Sequence, residues 1–308
     1  FVILLENVKS SNKVALVAQK ILTALNHPEK VEEHDITMTA SIGIAISPTD
    51  GADTIALFKN ADTALYRAKD KGRNSFEFYS EDMGVSSLET LYLNTALNTA
   101  LQKEQFTLYY QPQIDAQTGN AIGAEALVRW NSPDMGLVSP LRFIPLVEDT
   151  GLIVPLGEWI LHKACTQMKQ WIDKGIALDH VAVNISGRQL SHNYIVDTIK
   201  NILRETRLDP KYLELEITES VIMKDEHYVA MLNELKSLGL RISIDDFGTG
   251  YSSLSRLKNL PIDKLKIDKS FIDGIPGDED DNKIVQVIIG LANGLNLNLI
   301  AEGVETSQ

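Results

Sequence analysis

Seven polar residues, Glu125, Asn184, Glu216, Asp245, Asp246, Lys266 and Glu302, lie in or at the ends of short apolar runs where a plain core would carry aliphatic side chains. Side chains alternate between the faces of a strand, so parity tells which of them share a face. In the run at His180, Val181, Val183 and Ile185 oppose Ala182, Asn184 and Ser186, and further on Leu213, Leu215 and Ile217 oppose Glu214, Glu216 and Thr218. Ile242 and Ile244 oppose Ser243 and Asp245, Leu265 and Ile267 oppose Lys264, Lys266 and Asp268, and Leu297 and Leu299 oppose Asn298 and Glu302. In an ordinary α/β sheet, helices cover both faces and both are aliphatic. Here one face is polar near the C-terminal end of each strand, which is where a (β/α) barrel carries its catalytic groups. Four or five carboxylates converging on one mouth raise one another's pKa unless cations neutralise them. The set therefore asks for a hard cation, and oxygen donors without a partner His or Cys suit Mg²⁺ or Mn²⁺ rather than Zn²⁺ or Cu²⁺. Neighbours in a regular strand face opposite ways, so Asp245 and Asp246 both reach one site only if the strand ends there. Phe247-Gly248-Thr249-Gly250 supplies such a break.

Taken singly, each acid reads as a surface group or a helix N-cap. Lys264, Lys266 and Lys269 read equally well as a solvated edge. The joint parity of five strands favours the site over these separate readings.

The elements that must position these residues follow from periodicity. Beyond residue 105, strand candidates at Phe106–Ile114, Gly123–Trp130, His180–Ser186, Tyr212–Thr218, Arg241–Asp246, Lys264–Asp268 and Leu297–Glu302 alternate with amphipathic helices, a rhythm that predicts a parallel sheet, open or closed into a barrel. Seven strands fall one short of closure, so the last strand and helix are expected to be missing. Before residue 80 the pattern is a smaller α/β unit: a strand-like Phe1–Leu5 that reads as a cut inside a domain, a helix over Val14–Leu25, a strand over Thr37–Ile46 and a helix over Ala61–Lys71 closed by Gly72. Tyr79–Ser87 turns polar, and Leu88–Gln102 has the periodicity of a connecting helix. The expected division is residues 1–80, a linker at 81–90, and 91–308.

Composition bounds the rest. With 29 basic and 42 acidic residues among 308, the net charge of −13 argues against a protein that grips a DNA or RNA polymer through bulk charge. The single Cys165 excludes an internal disulfide and fits a reducing compartment, with its thiol expected in the core. The most apolar long stretch, Ile284–Ala301, is broken by Gln286, Asn293, Asn296 and Asn298 and is too polar to span a membrane. His34-Asp35 has no companion histidines, and no Ser/His or Cys/His set supports a covalent nucleophile.

At Glu125-Ala126-Leu127, inside GAEALVRW, the chain resembles the EAL family of cyclic di-GMP phosphodiesterases. The likeness runs from about Leu91 to Gln308 through YYQP, EALVRW, VNIS, LEITES, DDFGTGYSSL, KLKID and AEGVE. It implies a TIM-like (β/α) barrel with metal ligands at Glu125, Asn184, Glu216, Asp245 and Asp246 for two Mg²⁺ or Mn²⁺ ions. It also implies that Lys266 places the attacking water, that Glu302 assists as base or at the second metal, that Glu219 holds the DDFGTGYSS loop, and that Gln111 and Arg129 contact the substrate. The implied reaction is hydrolysis of cyclic di-GMP to linear pGpG in a cytoplasmic homodimer joined through this domain, with sensor or membrane segments upstream. The alternatives are a silent domain that binds cyclic di-GMP as a receptor and a nuclease of other phosphodiesters. The first eighty or so residues resemble the C-terminal part of a GGDEF domain, the diguanylate cyclase family, in FVILLENV, TASIGIA and ADTALYRAKDKGRN, with Lys69 and Arg73 matching that family's phosphate contacts.

Overall fold

The computed structural model describes residues 1–6, 8, 11–26, 29–31, 34–36, 39–70, 74–80, 92–191, 194–223, 227–249 and 254–304. The chain divides into two compact units, Phe1–Leu97 and Asn98–Gln308, with the division inside the helical residues 92–100 (α3).

In the first unit α1 (Ser11–Leu25) precedes an antiparallel pair, β1 (Glu29–Val31) with β2 (His34–Ile36), and β3 (Ile42–Ile44) runs parallel to β4 (Phe76–Phe78). The connection from β3 to β4 is α2 (Thr54–Asp70), which packs against β3 so closely that a Cβ on Gly43 would stand 2.0 Å from the Ala61 carbonyl oxygen. Val14, Ala18 and Ile44 form the core of this unit with Ile42, Ile46, Phe76 and Phe78 against them. Three expectations change here. Phe1–Leu5 has no strand pairing, and its side chains are exposed. An apolar run becomes a strand only where a neighbour supplies ladder partners, and none is described beside it. The strand expected over Thr37–Ile46 shrinks to Ile42–Ile44, with residues 37–38 outside the described set. The helix expected from Ala61 starts at Thr54, where Asp53 Oδ1 accepts the Ala56 N–H at 2.8 Å and caps the first turn. Lys69 is exposed in the last turn of α2, and Arg73 lies outside the described residues, as do the polar stretch from residue 81 and the start of the connecting helix.

The second unit is one curled sheet with helices outside it, an α/β fold of the TIM-like (β/α) barrel type. Its strands are β5 (Phe106–Ile114), β6 (Ala121–Ser132), β7 (Gly136–Val138), β8 (His180–Asn184), β9 (Leu213–Thr218), β10 (Arg241–Phe247), β11 (Lys264–Ile267) and β12 (Asn298–Ala301). The order is β12-β11-β10-β9-β8-β6-β5, with β7 paired to β6. All pairs from β6 through β12 along this path are parallel, but β5 is antiparallel to β6. The purely parallel expectation fails at that point because six residues join β5 to β6, too few for a crossover and enough for a hairpin. The long helices earn their place by apolar stripes: α5 (Ile153–Asp173) buries Leu156, Ile160, Ala164 and Met168 at four-residue steps, and α7 (Ile195–Thr206) buries Ile195, Ile199, Ile202 and Leu203 at three- and four-residue steps. Cys165 is in this core, and burial pushes its thiol up to about 12.

Short helices begin where the strands end. Ser186, expected as the last strand residue, instead caps α6 (Gly187–Leu190): its hydroxyl accepts from the Gln189 N–H, and Gln189 Oε1 accepts from the Ser186 N–H. Glu219 opens α8 (Glu219–Ile222) and Asp268 caps α11 (Lys269–Ile272). Helix α12 (Glu279–Leu295), capped by Asp278 and acidic in its first turn, leads to β12.

Candidate metal centre

The inward parity of β9, β10 and β11 brings their polar side chains together across the lumen. Ser243 on the middle strand β10 is small and fully buried, which leaves room for the residues of its two neighbours to meet over it. Lys266 Nζ, 1% exposed, lies 2.8 Å from Glu216 Oε2, 3.3 Å from Glu125 Oε2, 3.1 Å from Asp245 Oδ1 and 2.7 Å from Glu302 Oε1. Asn184 donates from Nδ2 to Glu125 Oε1 at 2.8 Å. Six of the seven candidate residues are therefore linked through Lys266, Asn184 by way of Glu125. The seventh, Asp246, joins through Asp245: carboxylate oxygens of Asp245, Asp246 and Glu302 lie within 4.8 Å of one another. The solvated-edge reading is overturned for Lys264 and Lys266, both buried, and Lys269 alone is half exposed.

Asp245 and Asp246 reach the same site by a different device from the strand end expected. The strand continues to Phe247, but the β10–β11 register shifts between Ile244 and Phe247, and Asp246 adopts φ +54°. A bulge with a left-handed residue turns two consecutive side chains toward one side, and Asp tolerates that conformation better than most residues. Gly248, at φ +104°, follows with the Phe271 ring 2.8 Å from where its Cβ would be. Its N–H donates to Glu219 Oε2 at 2.8 Å, at the start of the loop after β10, of which residues 250–253 lie outside the described set.

Electrostatics follow from burial. For Lys266, burial favours the neutral amine, but Glu216, Glu125, Asp245 and Glu302 outweigh it and hold the group above the ordinary lysine range, fully protonated. Burial raises Glu216 well above the usual carboxylate range; Lys266 opposes the rise, and Glu125 and Asp245 add to it. Burial likewise raises Asp246, with Asp245 and Asp268 adding to it, and raises Glu302 despite Lys266. Asp268 was on the inward face by parity but outside the candidate set; it sits against Asp246. Four carboxylates around one ammonium, with Asp246 beside them, leave a formal excess of negative charge in a partly buried setting of oxygen donors. Those donors fit a hard divalent cation of the Mg²⁺ or Mn²⁺ kind.

At the rim, β5 and β6 place Gln111 opposite Glu125 on the same face. Arg129, two steps further along that face, lies with its guanidinium 5.5 Å from the Tyr109 ring centre and donates to the Val128 carbonyl at 2.9 Å. Neither Gln111 nor Arg129 is brought into contact with the carboxylates; both flank them.

A deeper layer was not anticipated. Below the mouth, Lys264 donates to both oxygens of Glu214 at 2.9 and 2.8 Å, and His180 and Gln113 lie against the pair. The same parity that found Lys266 and Glu216 contained Lys264 and Glu214 two residues earlier, and His180 four residues before Asn184.

Fold and site together define a class: a TIM-like α/β barrel whose mouth is a buried carboxylate cluster suited to divalent cations. The chain belongs to the EAL domain family, which matches residues 94–308, and residues 1–75 match the diguanylate cyclase, GGDEF domain family. Among curated relatives, the bifunctional diguanylate cyclase/cyclic di-GMP phosphodiesterase MucR of Pseudomonas aeruginosa is 45% identical over 307 residues, 99% of this chain and 45% of that protein. The cyclic di-GMP phosphodiesterase PdeR of Escherichia coli is 41% identical over 309 residues, 100% of this chain and 46% of that protein. The chain thus spans less than half the length of these relatives. Among solved structures, the PaMucR phosphodiesterase in its c-di-GMP complex superposes with a TM-score of 0.68 at 48% identity, covering 70% of this chain and 88% of that one.

Proposed function

We propose that residues 91–308 are a metal-dependent cyclic di-GMP phosphodiesterase that opens one phosphodiester to give linear pGpG, and that residues 1–80 are the C-terminal part of a GGDEF domain joined through 81–90. The observation that carries this reading is the set of four carboxylates within 3.3 Å of the Lys266 ammonium, with Asp246 brought alongside by the β10 bulge. The names of MucR and PdeR and the c-di-GMP complex of PaMucR support the substrate. Glu125, Asn184, Glu216, Asp245 and Asp246 would hold two Mg²⁺ or Mn²⁺ ions, which when bound lower the pKa of water and offset charge on the phosphoryl oxygens.

The chain's own groups do the rest. Lys266, held protonated, donates a hydrogen bond to the attacking water and fixes its line of approach. Glu302, whose carboxyl burial holds above the usual carboxylate range and so makes a stronger base, takes one proton from that water as its oxygen bonds to phosphorus. The bond from phosphorus to the 3′-oxygen breaks, and that oxygen leaves as the hydroxyl, taking a proton from solvent while Glu302 returns its proton to solvent. Asn184 keeps the Glu125 carboxylate turned inward, Glu219 anchors the loop after β10, and Gln111 and Arg129 contact the substrate at the rim. Pairing of two copies through this domain, and a cytoplasmic site of action where the nucleotide is available, belong to the same proposal; among the described residues no helix is long and apolar enough to cross a membrane.

Incubation with cyclic di-GMP and Mg²⁺ or Mn²⁺, followed by separation of the nucleotides, tests the reading. Linear pGpG, lost on chelation, is expected; retention of cyclic di-GMP without turnover would instead indicate a receptor.

A further inference from the structure

The deeper layer of the barrel reaches the metal centre through one amide. Gln113 Nε2 lies 3.4 Å from Glu216 Oε1, and Gln113 Oε1 lies 2.7 Å from His180 Nε2 and 3.5 Å from Lys264 Nζ. Which way the amide points is settled by its neighbours. Lys264 Nζ has only donors and faces Gln113 Oε1, while Gln113 Nε2 faces the Glu216 carboxylate, so Oε1 accepts. Its 2.7 Å approach then draws the ring proton of the neutral imidazole to Nε2, although Lys264 Nζ also stands 3.1 Å from that nitrogen while donating to both Glu214 oxygens. Nδ1 accepts from Arg241 Nη1 at 3.2 Å. The Nε2 proton and the Lys264 ammonium both face Gln113 Oε1. A reversed amide would set its NH₂ against two donors and its oxygen against the Glu216 carboxylate. Gln113 therefore donates to Glu216 Oε1, while Lys266 donates to Oε2 at 2.8 Å.

The backbone is built to let this chain of contacts form. Gly123 is the register partner of both Gln113 on β5 and His180 on β8. A Cβ on Gly123 would stand 2.5 Å from His180 Cε1, so the imidazole lies over the glycine and reaches across β6 to Gln113. All three side chains between Arg241 and the centre, His180, Gln113 and Glu216, are buried. Two donors arriving from different directions fix the plane of the Glu216 carboxylate before any ligand arrives.

We propose that the relay Arg241–His180–Gln113 positions Glu216 for metal binding, with Gln113 as the positioning residue that touches it. The proposal rests on the reading of Glu216 as a metal ligand. Groups that orient a metal's ligands in this way typically change metal affinity or activity by about 10- to 100-fold when removed. Lys264 and Glu214 serve the relay by neutralising each other beside it.

Calorimetric Mn²⁺ binding to the full chain, alongside kcat, KM and melting curves, tests the proposal with three variants. Gln113→Met keeps the volume and removes the donor; it should weaken Mn²⁺ binding by about tenfold or more and lower kcat at limiting metal. Gly123→Ala removes no polar group but displaces the His180 ring, and should weaken Mn²⁺ binding in the same direction. Arg241→Met gives opposite signs for two explanations. Removing a positive charge beside a cation site should tighten Mn²⁺ through electrostatics alone, whereas freeing the His180 tautomer should weaken it. Unchanged affinity in Gln113→Met, or tighter binding in Arg241→Met, overturns the relay; a fall in melting temperature with unchanged affinity marks a merely structural role. Should Gln113→Met not fold, Arg241→Met, at a half-buried strand start, decides alone. A wild-type chain that binds no Mn²⁺ overturns the metal reading itself, which is distinct from variants that bind as the wild type does.

Discussion

On the proposed reading Lys266 positions the attacking species and Asp245 holds a metal, and their variants separate the two roles. Asp245→Asn keeps the size and removes the charge, and hydrolysis should nearly vanish even at saturating Mn²⁺; full turnover in that variant would discard the carboxylate centre. Lys266→Ala should lower kcat by about 10² or more while cyclic di-GMP binding stays within about tenfold, the usual split for a group acting on the attacking species. His180 gives a pH prediction. Burial first, then Lys264 and Arg241, pull its pKa down to about 4 against the attraction of Glu214 and Asp179. The unfolded chain titrates near 6.5, so between roughly pH 6.5 and 4 the unfolded state binds the extra proton and stability falls as the pH drops. The effect grows to about 3 kcal/mol at the acid end. The loss of stability from pH 7 to pH 5, followed by denaturant unfolding, should be smaller in His180→Gln than in the wild type; equal slopes would place a charged imidazole in the folded barrel.

At the scale of elements, the bulge in β10 is the device on which the centre depends. Asp246→Ala should cost about 1 kcal/mol of stability through its left-handed φ and also remove a ligand, whereas Asp246→Gly should restore the stability without the activity. If both variants melt alike, the bulge carries no strain. The bulge also marks how far the sequence could be read. Alternation in five strands revealed the inward set because period two survives any tertiary arrangement, and Asn184, Glu216, Lys266 and Glu302 come together for that reason, with Glu125 joining them from β6. The bulge has no such period: Asp245-Asp246 demanded a break, and the sequence offered Phe247-Gly248 as its place, one residue too late. Gln113 was illegible for another reason, since its role depends on the register of an antiparallel hairpin, and nothing local in YYQPQ sets Gln113 opposite Gly123. Phe1–Leu5 shows the converse, a strand-like run for which no described partner strand exists. In the first unit Gly43 is the tightest contact between sheet and helix, and Gly43→Val should unfold that unit while leaving Mn²⁺ binding by the second; loss of both would mean that the two units fold as one.

Over the whole molecule, charge sets how a nucleotide reaches the site. The chain carries −13 formally, and cyclic di-GMP carries two negative phosphodiesters, so their long-range interaction is repulsive even though the bound site is favourable. Salt screens the long-range part over about 10 Å at 0.1 M and leaves close contacts inside a buried mouth largely intact. With free Mn²⁺ held saturating, kcat/KM should therefore rise as NaCl increases from about 10 to 150 mM, with kcat nearly constant because the step inside the barrel is not exposed to the screening ions. On the proposed reading Arg129 at the rim works in the opposite sense, its guanidinium attracting the substrate's phosphates over the last few ångströms. If Arg129 dominated the approach, kcat/KM would fall with salt, as it does for steered association. Arg129→Met then separates the two contributions: it should make the rise with salt steeper by removing a rim attraction that opposes it, and a slope that is flat in both proteins would show that neither the net charge nor the rim cation governs encounter.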